Sequence, residues 1–184
     1  ESLITDNLEN EPGFKIFMFH TAIAELKPED MEKMEAAPLS LLPRGFDYYA
    51  GGHVHIVKDI TIEDYNNIVY PGPTFPNSFA EIEKLKQGGF YIYDDGKLNY
   101  EKLNLCDVML IDQDCNHKSP EAITEELVEQ ATNMKLAGAL VLLRLHGTIE
   151  TGKTSEINLK RISELLEERG AYFVMRNTNK LASR

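Results

Sequence analysis

The sequence predicts an α/β (α+β) fold in two parts, residues 1–105 and 106–184. Three observations carry the prediction. Two apolar runs in the first part, Phe14 to Phe19 and Phe46 to Ala50, read as buried strands. Gly89–Asp94 and Lys97–Leu103 alternate apolar and polar residues around Asp95-Gly96, the residue pair of a two-residue hairpin turn. From Val108 onward apolar stretches alternate with helix-length amphipathic ones, the pattern of a β-α-β-α-β unit.

In chain order, Phe14 to Phe19 delivers His20 at the carboxyl end of a strand. Residues 28–37 are expected to be helical. Pro28 suits a first turn, Glu29, Asp30 and Glu32 suit the positive end of the dipole, and Pro38 ends the segment. Leu39 to Leu42 form a second short apolar segment. Phe46 to Ala50 runs into Gly51-Gly52, which allow unusual backbone geometry or the close approach of a ligand. Ile68 to Tyr70 is a short strand stopped by Pro71-Gly72-Pro73.

The second part reads as strand Val108–Asp112, helix Pro120–Met134, strand Ala139–Leu145, helix Ser155–Glu168 and strand Tyr172–Arg176. Ser119 is the expected N-cap, with Pro120 at the first helical position and Gly170 as the C-terminal stop of the second helix. Ile157, Ile162, Leu165 and Leu166 form the apolar stripe of that helix.

Composition narrows the function classes. The net charge is −11, and residues 1–105 carry 9 Lys and Arg against 18 Asp and Glu. Such acidity argues against broad charge-driven nucleic-acid binding, though not against a site where divalent cations meet phosphates. No apolar run approaches the roughly 18 residues of a membrane span. The acidic segment Glu1 to Glu11 has the wrong chemistry for a signal peptide. A first residue other than Met fits a chain that begins inside a longer protein, tag removal or processing. Cys106 and Cys115 are expected to be free thiols in a reducing cytoplasm. Cys115 and His117 lack the second ligand pair that a zinc site requires.

Five histidines are present. His117 and His146 read as ordinary loop or surface residues. His53 and His55 differ, because Gly52-His53-Val54-His55 places two imidazoles two residues apart after paired glycines. If the backbone is extended there, both rings point to one side; if it is a loop, the spacing says less. Asp47 is close by, but on an apolar strand, and is expected to be structural. No other carboxylate has a spacing that nominates it as a ligand.

Phe17-Met18-Phe19-His20-Thr21, the run from Leu42 through Asp47-Tyr48-Tyr49-Ala50-Gly51-Gly52 to His55, and Val69-Tyr70-Pro71-Gly72 together resemble a known family. It is that of the DNA double-strand-break-repair nucleases of the Mre-eleven/SbcD type, within the calcineurin-like metallophosphoesterases. The resemblance implies the C-terminal part of a metallophosphoesterase β-sandwich flanked by helices, followed by a small capping domain that engages DNA. It implies a two-metal site holding Mn2+, with His20 and His53 as ligands of one ion and His55 as a ligand of the other. The family's DxH, GDxxD and GNHD motifs do not occur, so the resemblance implies an incomplete ligand set and no nuclease activity in this chain alone. No catalytic residue is assigned. It further implies a homodimer and an ABC-type ATPase partner of the Rad-fifty/SbcC kind in the intact protein. A cytoplasmic, prokaryotic setting of archaeal type goes with it.

One departure is visible. The family pattern is Tyr-Pro-Gly-Ser, whereas Pro73 follows Gly72 here, so a hydroxyl and an amide donor are lost. Arg144, Lys153 and Arg161 are candidates for phosphate contact by charge alone, and solvated cations are their ordinary reading. Two rival readings stand beside the first. One is another calcineurin-like phosphoesterase, acting on small phosphoesters. The other is a non-catalytic DNA-binding or docking module.

Overall fold

The computed structural model describes all residues except 1–3, 5–6 and 29–32. The described residues form a mixed α+β structure with a four-stranded, a two-stranded and a three-stranded sheet and three α-helices. This is the predicted fold class. The chain divides into two compact units, Glu1–Phe75 with Gly88–Leu103, and Pro76–Gln87 with Asn104–Arg184.

In the first unit, β1 (Ile16–His20), β2 (Tyr48–Gly52), β3 (Val57–Ile62) and β4 (Tyr65–Pro71) assemble in the order β1-β2-β4-β3. β1 and β4 both pair with β2 in parallel, and β3 pairs with β4 antiparallel. Alternation along β1 sends Phe17 and Phe19 to one face and Ile16, Met18 and His20 to the other. The first face carries the core, built from Tyr49, Tyr65, Ile68 and Tyr70 against Ala22, Ile23, Leu26, Leu39 and Leu42. These last five lie on loops and 3₁₀ turns, and buried phenols fasten the segment at Leu42 and Pro43 to the sheet. The Tyr49 hydroxyl donates to the Pro43 carbonyl (2.7 Å), and that of Tyr65 to the Leu42 carbonyl (3.1 Å). The hairpin of β5 (Gly88–Asp94) and β6 (Lys97–Leu103) turns at Asp95 and Gly96, both at positive φ, as the Asp-Gly pair predicts.

Several predicted boundaries move. The expected strand Phe46–Ala50 is β2, displaced two residues toward Gly52, because Asp47 spends its backbone and side chain on Lys15 before pairing begins. Of the expected helix 28–37, residues 29–32 lie outside the described residues, and residues 33–37 are not helical. Instead, Ala37 bridges to Ile23, with its N–H donating to Ala22 and its carbonyl accepting from Ala24, both at 2.8 Å. Leu39–Leu41 is one 3₁₀ turn.

In the second unit, β7 (Val108–Asp114), β8 (Leu140–Ile149) and β9 (Phe173–Ser183) form an all-parallel sheet in the order β7-β8-β9. A short α1 (Phe79–Leu85) precedes it in the chain, and α2 (Pro120–Asn133) and α3 (Leu159–Glu168) connect its strands. Ser119 caps α2 by accepting from the Ala122 N–H, with Pro120 just inside, as predicted. The second helix begins later than expected. Thr154–Glu156 is a separate 3₁₀ turn, and Asn158 is the cap, accepting from the Arg161 N–H at 3.0 Å.

Central β8 is buried on both faces, which explains its unbroken Leu-Val-Leu-Leu run. Val141, Leu143 and Leu145 pack in one core with Ile123 and Leu127 of α2 and Ile162 and Leu166 of α3. Leu140 and Leu142 face the other way, in a smaller cluster with Ile82 and Phe79 of α1.

Candidate metal-ligand edge

β1 and β2 are parallel, so their carboxyl ends lie at one edge of the sheet, with His20 and Gly52 as register partners. In open sheets of this kind ligands bind outside the carboxyl ends of the strands. His20 is the last residue of β1, and His53 follows the last residue of β2. The two imidazoles meet edge to face, with ring centroids 5.4 Å apart and ring planes at 69°.

The chain around the pair is fixed from below. The Tyr70 hydroxyl donates to the carbonyl of Thr21, the residue after His20, at 2.8 Å. Burial pushes the Tyr70 phenol up to about 12, so it remains a donor at any ordinary pH. Val54, between His53 and His55, is 4% exposed and anchors the loop in the core. Both histidines flanking it are exposed. Residues 53–56 form a loop after β2 has ended, so the strand-based argument for two rings on one side does not apply.

His53 has φ 80°. A side-chain-bearing residue at such φ is uncommon, and local strain of this sort clusters at functional positions. Two glycines precede it, and neither takes a positive φ. The sequence carries no signal for where in Gly51-Gly52-His53 the left-handed residue falls.

Of the three predicted ligands, the structure brings His20 and His53 into ring contact. Among the described residues no three His, Cys, Asp or Glu side chains gather into a group that could hold a metal ion, so His55 does not complete a triad with them. Asp47 has the structural role expected of it: its carboxylate accepts the Lys15 N–H at 2.7 Å. It sits at the amino end of β2, roughly 17 Å of strand from the histidines. An open recess of about 430 Å³ adjoins His20, floored by Met18, Ala50 and Val69 and bordered by Gly52.

The donor chemistry fits part of a divalent-metal site. Imidazole suits borderline cations such as Zn, Ni and Fe, whereas selection of Mn2+ needs carboxylates and water. Among the described residues no carboxylate completes a three-ligand group with His20 and His53.

Of the other candidates, Arg144, Arg161 and His146 each have an acidic neighbour. The Arg144 guanidinium is engaged by Glu83, lies 3.7 Å from Asp112 and covers the Phe79 ring. Arg161 pairs with Glu168 at 3.5 Å. His146 Nε2 lies 3.4 Å from Asp112 Oδ1. Cys106 and Cys115 are both free thiols. Cys115 is fully buried, and desolvation pushes its thiol up to about 11. With alkylating reagent at pH 8, Cys106 is therefore expected to react while Cys115 reacts only after denaturant is added. Mass spectrometry of the labelled chain checks this, and equal labelling of the two in the folded state would contradict it.

Fold and site define an α+β chain that presents a pair of imidazoles at the carboxyl edge of a mixed sheet. Comparison with known proteins finds two archaeal Mre11 repair proteins similar to part of this chain. The DNA double-strand break repair protein Mre11 of Methanopyrus kandleri is 31% identical over 98 residues, covering 50% of this chain and 21% of the relative. That of Methanococcus maripaludis is 28% identical over 129 residues, covering 66% of this chain and 34% of the relative. The chain thus spans about a fifth to a third of the curated relatives it matches. No family model matches the chain. Among the described residues, no helix is long and apolar enough to cross a membrane.

Proposed function

We propose that this chain is the histidine-bearing part of a metal-dependent DNA double-strand-break-repair nuclease. His20, His53 and His55 supply imidazole ligands to a pair of manganese ions, and carboxylates from elsewhere in the intact protein complete the set. When bound, such ions polarise a phosphodiester and generate the attacking hydroxide. This chain's residues do the holding. β1 and β2 set His20 and His53 at a common edge, and Val54 and Tyr70 pin the backbone on either side. The observation that carries the proposal is the His20–His53 contact at the strand ends, reached from positions 33 residues apart in sequence. Similarity to two archaeal repair proteins supplies the substrate class, DNA. In the same reading the second unit engages DNA, and the intact protein is a homodimer that partners a Rad50-type ATPase.

The test uses Mn2+ as a paramagnetic probe of the purified chain. Substoichiometric Mn2+ is expected to broaden the ring NMR signals of His20, His53 and His55 before any others, and duplex DNA is expected to stay uncut. Broadening confined to acidic surface residues would overturn the ligand assignment. Manganese-dependent cleavage by chain free of host nuclease would overturn the incomplete-site reading.

A further inference from the structure

We propose that Gly52 is a positioning residue: its missing side chain is the notch that the His20 imidazole occupies, and the notch holds that ring against His53. The proposal rests on the reading of His20 and His53 as metal ligands.

The geometry is local and specific. His20 and Gly52 face each other across β1 and β2. A Cβ built on Gly52 would stand 2.6 Å from His20 Nδ1, 3.2 Å from its Cε1 and 3.6 Å from its Cγ. Real Cβ atoms do not approach a ring nitrogen so closely, so an alanine at 52 forces the ring aside. His20 is exposed at the end of its strand, so rotation of its side chain relieves the clash at little cost to the fold. That same rotation breaks the 5.4 Å approach to His53.

The neighbouring glycine is the natural control. Successive strand residues point to opposite faces, and a Cβ on Gly51 would meet the core instead, at 2.8 Å from both Phe19 Cζ and Tyr70 Cε1. Those rings are packed in the core and cannot swing into solvent. Neither glycine has a positive φ, so backbone freedom does not account for either. Gly51 makes room for the core, and Gly52 makes room for a ligand.

The experiment compares Gly52→Ala and Gly51→Ala in the full chain by NMR, thermal melting and Mn2+ titration. Gly52→Ala is expected to melt within about 3 °C of the parent. It should also lose the cross-peak between the His20 and His53 rings, and need about tenfold more Mn2+ to broaden them. Gly51→Ala is expected to melt well below the parent and to keep the cross-peak. A Gly52→Ala chain that keeps both the cross-peak and the Mn2+ response overturns the proposal. Should Gly52→Ala unfold, the double variant with His20→Ala decides: regained folding shows that the clash is with the ring, and continued unfolding overturns the notch. A parent chain that shows the cross-peak but no Mn2+ response at either ring defeats the metal reading alone, and the cross-peak still decides the role of Gly52.

Discussion

Replacing His53 with glycine is expected to make the first unit more stable and its metal binding far weaker. His53 holds φ 80° with a side chain attached, a conformation that costs an L-residue about 1–2 kcal/mol. Glycine removes that cost and adds about 0.5–1 kcal/mol of unfolded-chain entropy, which leaves a net gain of up to about 1.5 kcal/mol. Alanine retains the strain and gains nothing. His53→Gly should therefore melt above both the parent and His53→Ala, while both variants lose about a hundredfold in Mn2+ affinity, at least the loss seen when groups that only support a ligand are removed. Urea titration and Mn2+ titration on the three chains check the two effects separately. If glycine stabilises no more than alanine, the strain is not there. If either variant binds Mn2+ as the parent does, His53 is not a ligand. A strained residue that a simpler one would relieve is retained for its chemistry rather than for the fold.

Leu143→Ala is expected to cost the second unit about 3–4 kcal/mol, within the usual range for a fully buried leucine. Leu143 is 0% exposed on the central strand, where β8 pairs with β7 through Ile111 and with β9 through Arg176. It lies in the core between the sheet and the α2–α3 pair, with Val141 and Leu145 on the same face. The cavity left by truncation is walled by strand on one side and helix on the other, so collapse around it is limited. Leu110, 37% exposed on β7, is the comparison, and its truncation should cost under about 1 kcal/mol. Circular dichroism during urea unfolding measures both. A loss at Leu143 no greater than at Leu110 would mean that the helices do not seal that face.

How legible the structure was in the sequence varied with how local its causes are. The β-α-β-α-β unit was readable because each part carries its own signal: Ser119-Pro120 for the start of α2, Gly170 for the end of α3, and a continuous apolar run for β8. The Asp95-Gly96 hairpin was readable for the same reason. The sequence expectation covers only Ile68–Tyr70 of β4 and none of β3, because their turn is Glu63-Asp64, with Glu63 at φ 51° in a position where sequence suggests no glycine or asparagine. Helix α1 lies outside the sequence expectation although Ser78-x-x-Glu81 announces it: Ser78 accepts from the Glu81 N–H, and the Glu81 carboxylate accepts from the Asn77 N–H. At the site, spacing nominated His53 and His55, but their loop makes that spacing uninformative. The pairing of His20 with His53 depends on which strands are neighbours, a non-local fact. The steric role of Gly52 depends on a ring that lies 32 positions away in sequence.

The outer edge of the first sheet has a colloidal consequence. Among the described residues β1 has a neighbour on one side only, and its second face shows Ile16 at 55% and Met18 at 79% exposure. Open backbone donors and acceptors beside apolar side chains form a template on which another copy can add a strand. The acidity of residues 1–105 acts against that addition, because two such edges must bring like charge together before they touch. Solubility of this chain is thus expected to follow its charge. It is expected to be greatest in dilute buffer near neutral pH, and to decline as salt shortens the repulsion or as pH falls toward the sequence isoelectric point of about 4.9, which turbidity across pH and salt checks.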